Sequence, residues 1–123
     1  MSYYRMLSNW ERNLIRRLLS SPFPGRDELL NQVENVVASP MHEDGTLLDE
    51  NGSLYLRSSS TVKASVKNRV PTEGEVIDVD GVIIHYLLHV VDGRIEQLEI
   101  FKEDLSKVSR QPNPEDINVI VAD

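Results

Sequence analysis

Two Asp-Gly pairs, Asp80-Gly81 and Asp92-Gly93, bracket an apolar run in the stretch VIDVDGVIIHYLLHVVDGRIEQLEIF from Val76 to Phe101. Both residues of such a pair tolerate positive φ, so each pair signals a two-residue β-hairpin turn. The spacing therefore predicts a three-stranded antiparallel meander with Val82 to Val91 as its central strand. A two-residue connection cannot make a parallel crossover, which excludes a parallel sheet here. In that register Val79 faces Val82 and Ile77 faces Ile84. Across the second turn Val91 faces Arg94, His89 faces Glu96, Leu87 faces Leu98, and His85 faces Ile100. The middle strand is apolar on both faces, as expected of a strand covered on each side.

The residues upstream follow a different period. SNWERNLIRRLLSS opens with Ser8 and has Glu11 three residues later, a capping box. Trp10, Leu14, Ile15, Leu18 and Leu19 recur at helical spacing, with Arg12, Arg16 and Arg17 largely off that stripe. SSPFPG breaks the helix, and RDELLNQV reads as a second helix with Leu29, Leu30 and Val33 inward. After Glu34 the period changes toward two. VENVVAS reads as a first strand, Asn51-Gly52 as a hairpin turn within TLLDENGSLYLR, and VKASVKNRV as a half-buried strand with Lys63, Ser65, Lys67 and Arg69 outward. The expected fold class is α+β: two N-terminal helices packed on a mainly antiparallel sheet of hairpins and meander. One domain covers 1–123, with helices over about 8–33, sheet over about 34–104 and a C-terminal tail over 105–123. The expected core is Trp10, Leu14, Leu18, Phe23, Leu30, Ile84, Leu87, Leu98 and Ile100.

Charge narrows the partners. The net charge is −7, unevenly spread: Met1 to Arg26 carries five arginines and one glutamate, and Asp27 to Asp123 carries eight basic and nineteen acidic residues. The body of the chain would repel phosphate and favour a basic partner. Nucleic-acid binding by the arginine face of the first helix conflicts with this balance. The chain has no cysteine, which excludes disulfides and thiolate metal sites and fits a reducing compartment. The start has no apolar signal-like region and no apolar run suits a membrane span, so a cytoplasmic location is expected.

Catalytic and metal motifs are missing from the pattern. There is no Gly-rich phosphate loop, no G-x-S-x-G and no H-E-x-x-H. His85 and His89 share a strand face but lie ~13 Å apart at ~3.3 Å per residue, too far to share one ion; pairing of His89 with Glu96 is expected instead. Glu43, Asp44, Asp49 and Glu50 gather on adjoining turn segments, but a calcium loop needs glycine at its sixth position. Counted from Asp49 that position is Leu54, and from Asp44 it is Asp49. These four acids are the candidate partner-binding residues, since loops carry recognition and a carboxylate patch suits lysines and arginines. No catalytic, cofactor-binding or metal residues are expected.

FPGRDELLNQV, VDGVIIHYLLHVVDGRIEQLEIFKED and QPNP together resemble a group of small uncharacterised bacterial proteins. In these an F-P-G-x-x-x-L helical segment precedes a D-x-D-G-V strand and an L-x-x-x-D-G-x-L-x-E-L-E hairpin. Phe23, Pro24, Gly25 and Leu29 match, as do Asp78, Asp80, Gly81, Val82, Asp92, Gly93, Leu98 and Glu99. These are scaffold positions, and the resemblance implies no activity. It implies at most an association with toxin genes. The expected function is thus a non-catalytic binding protein, concretely an immunity protein that neutralises a secreted bacterial toxin, such as a basic nuclease, by direct contact. The other class is a small enzyme or ligand-binding domain with a pocket between helices and sheet.

Overall fold

The computed structural model describes residues 3–43 and 47–123, and of residues 42, 43, 47 and 48 the backbone alone. It is an α+β fold. Two N-terminal helices, α1 (Asn9–Leu18) and α2 (Arg26–Val33), pack on one face of a seven-stranded antiparallel sheet. The strands are β1 (Arg5–Met6), β2 (Val36–Pro40), β5 (Leu54–Ser58), β6 (Thr72–Ile77), β7 (Ile83–Val91), β8 (Arg94–Lys102) and β9 (Asn118–Val121), in spatial order β1-β2-β5-β8-β7-β6-β9. Two short strands, β3 (His42–Glu43) and β4 (Leu47–Leu48), pair with each other as a separate two-stranded sheet.

The capping box forms as expected. The Glu11 amide donates to Ser8 Oγ at 3.1 Å and the Ser8 amide to Glu11 Oε1 at 2.8 Å. Leu14, Ile15, Leu18 and Leu19 are buried against Ile84, Tyr86, Leu88 and Val90 of β7, with Leu98 and Ile100 of β8 in the same cluster. Trp10, Phe23 and Leu30 sit at the edge of this core, partly buried. Gly74 lets α1 come close: a Cβ there would lie 2.8 Å from Leu18 Cδ2 and 2.5 Å from Ile117 Cγ2. Thr72 Oγ1 donates to the Leu18 carbonyl at 2.6 Å, satisfying an acceptor that the helix end leaves open.

The meander exists, with two changes of register. At the second turn Asp92 (φ 52) and Gly93 (φ 76) both take the left-handed conformation, and Val91 pairs with Arg94 as expected. A bulge then intervenes, so His89 pairs with Gln97, Leu87 with Glu99, and His85 with Phe101. The first turn is longer than two residues. Ile77 pairs with Ile83, the Asp78 amide donates to the Val82 carbonyl at 2.9 Å, and Gly81 (φ 86) donates to Asp78 at 2.9 Å. That is a type I turn closed by a left-handed glycine, the commonest three-residue hairpin loop.

Strand β7 has neighbours on both sides, while β8 is the middle of the order. It buries Ile84, Tyr86, Leu88 and Val90 toward the helices and leaves Ile83, His85, Leu87, His89 and Val91 half-buried on the other face. Leu87 is therefore not a core residue; Leu88, one position on, is wholly buried. Side chains alternate with a period of two, so the doubly apolar strand left the choice of face open.

Three other expectations change. VKASVKNRV is not a strand. Its alternation is real, with Ala64 buried and Val66 partly so, but its backbone is fastened singly: the Ala64 amide donates to the Gly93 carbonyl at 2.9 Å, and the Arg69 carbonyl accepts from Val90 at 2.7 Å. A loop lying on a surface also buries one side. Asn51-Gly52 does make a turn, with the Gly52 amide on the Asp49 carbonyl at 3.3 Å, but no hairpin of the flanking strands results. Strand β5 pairs with β2 and β8, and β4 with β3. Nor is 105–123 a mere tail. Pro114–Asp116 form a 3-10 turn and β9 joins β6. Trp10 Nε1 donates to the Pro112 carbonyl at 2.8 Å and Arg17 Nε to the Ile117 carbonyl at 3.0 Å, which hold this segment under α1.

Candidate functional site

Lys102 ends β8 on the parity of Leu98 and Ile100, and so enters the protein interior with no exposed surface. A buried ammonium needs partners, and the β6–β7 turn supplies two. Lys102 Nζ lies 3.1 Å from Asp78 Oδ2 and donates a short hydrogen bond to Asp80 Oδ2. Asp78 also accepts the Val79 amide on Oδ1 and the Ser109 amide on Oδ2, each at 2.7 Å. Burial pushes the Asp78 carboxyl up, but the Ser109 amide, Lys102 and the Val79 amide outweigh it and bring its pKa down to about 2. Burial likewise opposes the charge on Lys102, yet its hydrogen bonds to Asp80 and Asp78 hold its pKa above the ordinary lysine value. Two carboxylates thus hold the buried ammonium in place. The group fastens the β6–β7 turn and the 105–113 segment to the end of β8.

Beside it Tyr86 donates to Gln111 Oε1 at 3.0 Å, and Gln111 Nε2 donates to the Asn51 carbonyl at 2.9 Å. Burial, with a lesser push from the Asp78 charge, raises the Tyr86 pKa. A cleft of 570 Å³ opens between these elements, lined by Trp10, Ile77, Asp78, Val79, Arg110 and Asp116 among others. Ile77 and Val79 on its rim are 69% and 71% exposed, an apolar lip beside charged groups.

On the sheet face away from the helices, His85 stacks on Phe101 with centroids 5.0 Å apart and meets Glu103 Oε1 at 3.3 Å. His89 Nδ1 accepts from Arg69 Nε at 3.1 Å, which leaves Nε2 as the donor to Glu99 Oε1 at 2.9 Å. The bulge put Glu99, not the expected Glu96, within reach. Each histidine thus has its own carboxylate. Among the described residues no group of three or more metal-ligating side chains converges.

The expected partner-binding acids are only partly described. Asp44 lies outside the described residues, as does the side chain of Glu43. Asp49 Oδ1 accepts the Asn51 amide at 2.8 Å and so serves the turn. Glu50 is exposed, 3.9 Å from Lys107. Sequence reasoning named Asp78 and Asp80 as scaffold positions alone and passed over Lys102. The signals were the D-x-D spacing and a lysine continuing the inward series of β8, which reads as a solvated strand end until the pairing is known.

No helix among the described residues is long and apolar enough to cross a membrane. Neither the curated proteins nor the solved structures contain a match to this chain. One domain family does match, over residues 4–112, which takes in both helices and all strands except β9. The chain therefore belongs to an uncharacterised family, the Domain of unknown function (DUF6984).

Proposed function

We propose that this chain is a non-catalytic binding protein, most concretely an immunity protein that neutralises a secreted bacterial toxin in the cytoplasm by direct contact. The observation that carries the reading is the asymmetry of the sheet. Helices cover one face, while the other presents Glu73, Glu75, Glu99 and Glu103 around Leu87, His85 and His89. With a net charge of −7, such a face speeds encounter with a basic protein, a nuclease domain above all. Glu43, Asp44, Asp49 and Glu50 are the second candidate contact. The arginines of α1 favour nucleic acid less, because Arg12 donates to the Val33 carbonyl at 3.0 Å and Arg17 to that of Ile117.

The test is neutralisation of a toxin domain encoded beside this gene, with association rates measured at two ionic strengths. Reversing Glu73 and Glu75 to lysine should slow association several-fold and flatten its salt dependence. Reversing Asp49 and Glu50 instead tests the turn acids. Failure of the wild-type protein to neutralise or bind the toxin would remove the immunity reading. The cleft beside Asp78 favours a second reading, a small ligand-binding domain or enzyme, which turnover or saturable small-molecule binding in that cleft would support.

A further inference from the structure

Strand β9 closes one end of the sheet. Its inner side pairs with β6 through Thr72↔Val121, Glu73↔Ile120, Gly74↔Val119 and Glu75↔Asn118. The Ala122 amide donates to the Pro71 carbonyl at 2.9 Å, which fixes the phase of the ladder. Hydrogen-bonded pairs alternate along antiparallel strands, so Asn118 and Ile120 aim their backbone groups at β6, and Val119 and Val121 aim theirs outward.

Sheet edges are ordinarily blunted by lysine, proline, a bulge or shortness. The opposite edge follows that rule, since β1 is two residues long and carries Arg5. Strand β9 has none of these devices. Its residues Asn118, Val119, Ile120 and Val121 are uncharged, and three of the four are β-branched, which favours an extended strand. Ile120 remains 41% exposed.

Two concavities flank this edge. One, of 230 Å³, is lined by Val70, Glu73, Leu87, Ile120 and Ala122. The other, of 370 Å³, is lined by Glu75, Val76, Ile77, Ile83, Asp116 and Asn118. Each has apolar walls and at least one carboxylate. An added strand turns every second side chain to the same face. A lysine or arginine suits each hollow, its alkyl stem on Ile120 or Ile77 and its charge near Glu73 or near Glu75 and Asp116.

We infer that the edge of β9 is a docking site for an extended basic segment of a protein partner, which joins the sheet as an added strand. Backbone pairing to Val119 and Val121 supplies the attachment, and alternate basic side chains in the two hollows supply the selectivity. A second copy of this chain fits less well. In antiparallel self-pairing centred on Val119 or Ile120, Asp123 of one chain meets the 115–117 stretch of the other, where Glu115 and Asp116 lie. The inference rests on the reading of a basic protein partner and shares Glu73, Glu75 and Leu87 with the open face described above, but it concerns the backbone edge of β9 and is tested by a different assay.

The probe is an eight-residue peptide alternating lysine with valine, against one alternating glutamate with valine, with no toxin present. The lysine peptide should bind at least tenfold more tightly and slow hydrogen exchange at the Val119 and Val121 amides. Val119→Pro, which removes an outward donor and none toward β6, should weaken binding at least tenfold. Ile120→Lys leaves the backbone intact and should do the same by repulsion, so a fold-disrupting proline does not decide the matter. Equal binding of both peptides, unchanged exchange at these two amides, or unchanged affinity of Ile120→Lys would overturn the inference. So would a dimer joined through β9, seen by sedimentation and abolished by Ile120→Lys. The immunity reading stands or falls separately, on toxin neutralisation.

Discussion

Lys102 Nζ lies 3.1 Å from Asp78 Oδ2, and neither side chain reaches solvent. Removing one member of such a pair strands the other charge in the interior, whereas removing the whole set is often tolerated. Lys102→Met alone should therefore shift the urea midpoint far downward. The triple variant Lys102→Met, Asp78→Asn, Asp80→Asn should recover much of that loss. A single variant as stable as wild type would show that the pair contributes nothing to the fold.

Acid should dissolve this same contact. The Asp78 pKa is depressed to about 2 in the fold, against ~3.9 for an unperturbed aspartate. A depressed carboxyl adds stability above the unfolded value and loses it as pH falls through the folded one. The melting temperature should thus fall between about pH 4 and pH 2, and less steeply in Asp78→Asn. Glu11, lowered chiefly by its hydrogen bond to Arg5, acts in the same direction, so the slope should flatten rather than vanish. Identical pH profiles for variant and wild type would contradict the assignment.

Adjacent leucines of β7 should respond very differently. Leu88 has no exposed surface and packs in the main cluster; truncation to alanine should cost ~2–5 kcal/mol. Leu87 lies half-buried on the opposite face between Glu73 and Glu99, and its truncation should cost about 1 kcal/mol or less. Denaturant melts of the two variants measure the ratio, and equal losses would mean that the open face is covered.

Gly74→Ala should destabilise by ~1–3 kcal/mol, the usual range for overpacking. Its new methyl meets Leu18 and Ile117, both without exposed surface, where the surroundings have little room to yield. An unchanged melting temperature would show that α1 rides more loosely on β6 than this spacing requires.

Local signals carried much of the fold. The capping box of α1, the helical stripe from Leu14 to Leu18 and the Asp92-Gly93 turn are short-range matters, set by which backbone groups a neighbouring side chain can satisfy and which residues accept positive φ. They appear in the structure where the sequence places them. The α+β class follows from the change of period after Glu34 together with those turns.

Strand partnership was another matter. Asn51-Gly52 dictates a reversal but cannot say that β5 will lie between β2 and β8. One bulge, an extra residue of β8 opposite the His89–Val90 step, brought Glu99 within the reach expected of Glu96 and set Leu98, Ile100 and Lys102 on the inward face shared with Leu88. Because β7 is apolar at both parities, either register satisfied its pattern, and only the facing helices chose between them. The same holds for the Lys102 site. Asp78, Asp80 and Lys102 are each ordinary in sequence, and twenty-two residues separate Asp80 from Lys102. By itself, then, the sequence determined the turns, the caps and the surplus of carboxylates, all properties of near neighbours. The tertiary structure alone decided which charge is buried, which face of the sheet stays open and which edge is left unpaired, because each depends on elements that are distant along the chain.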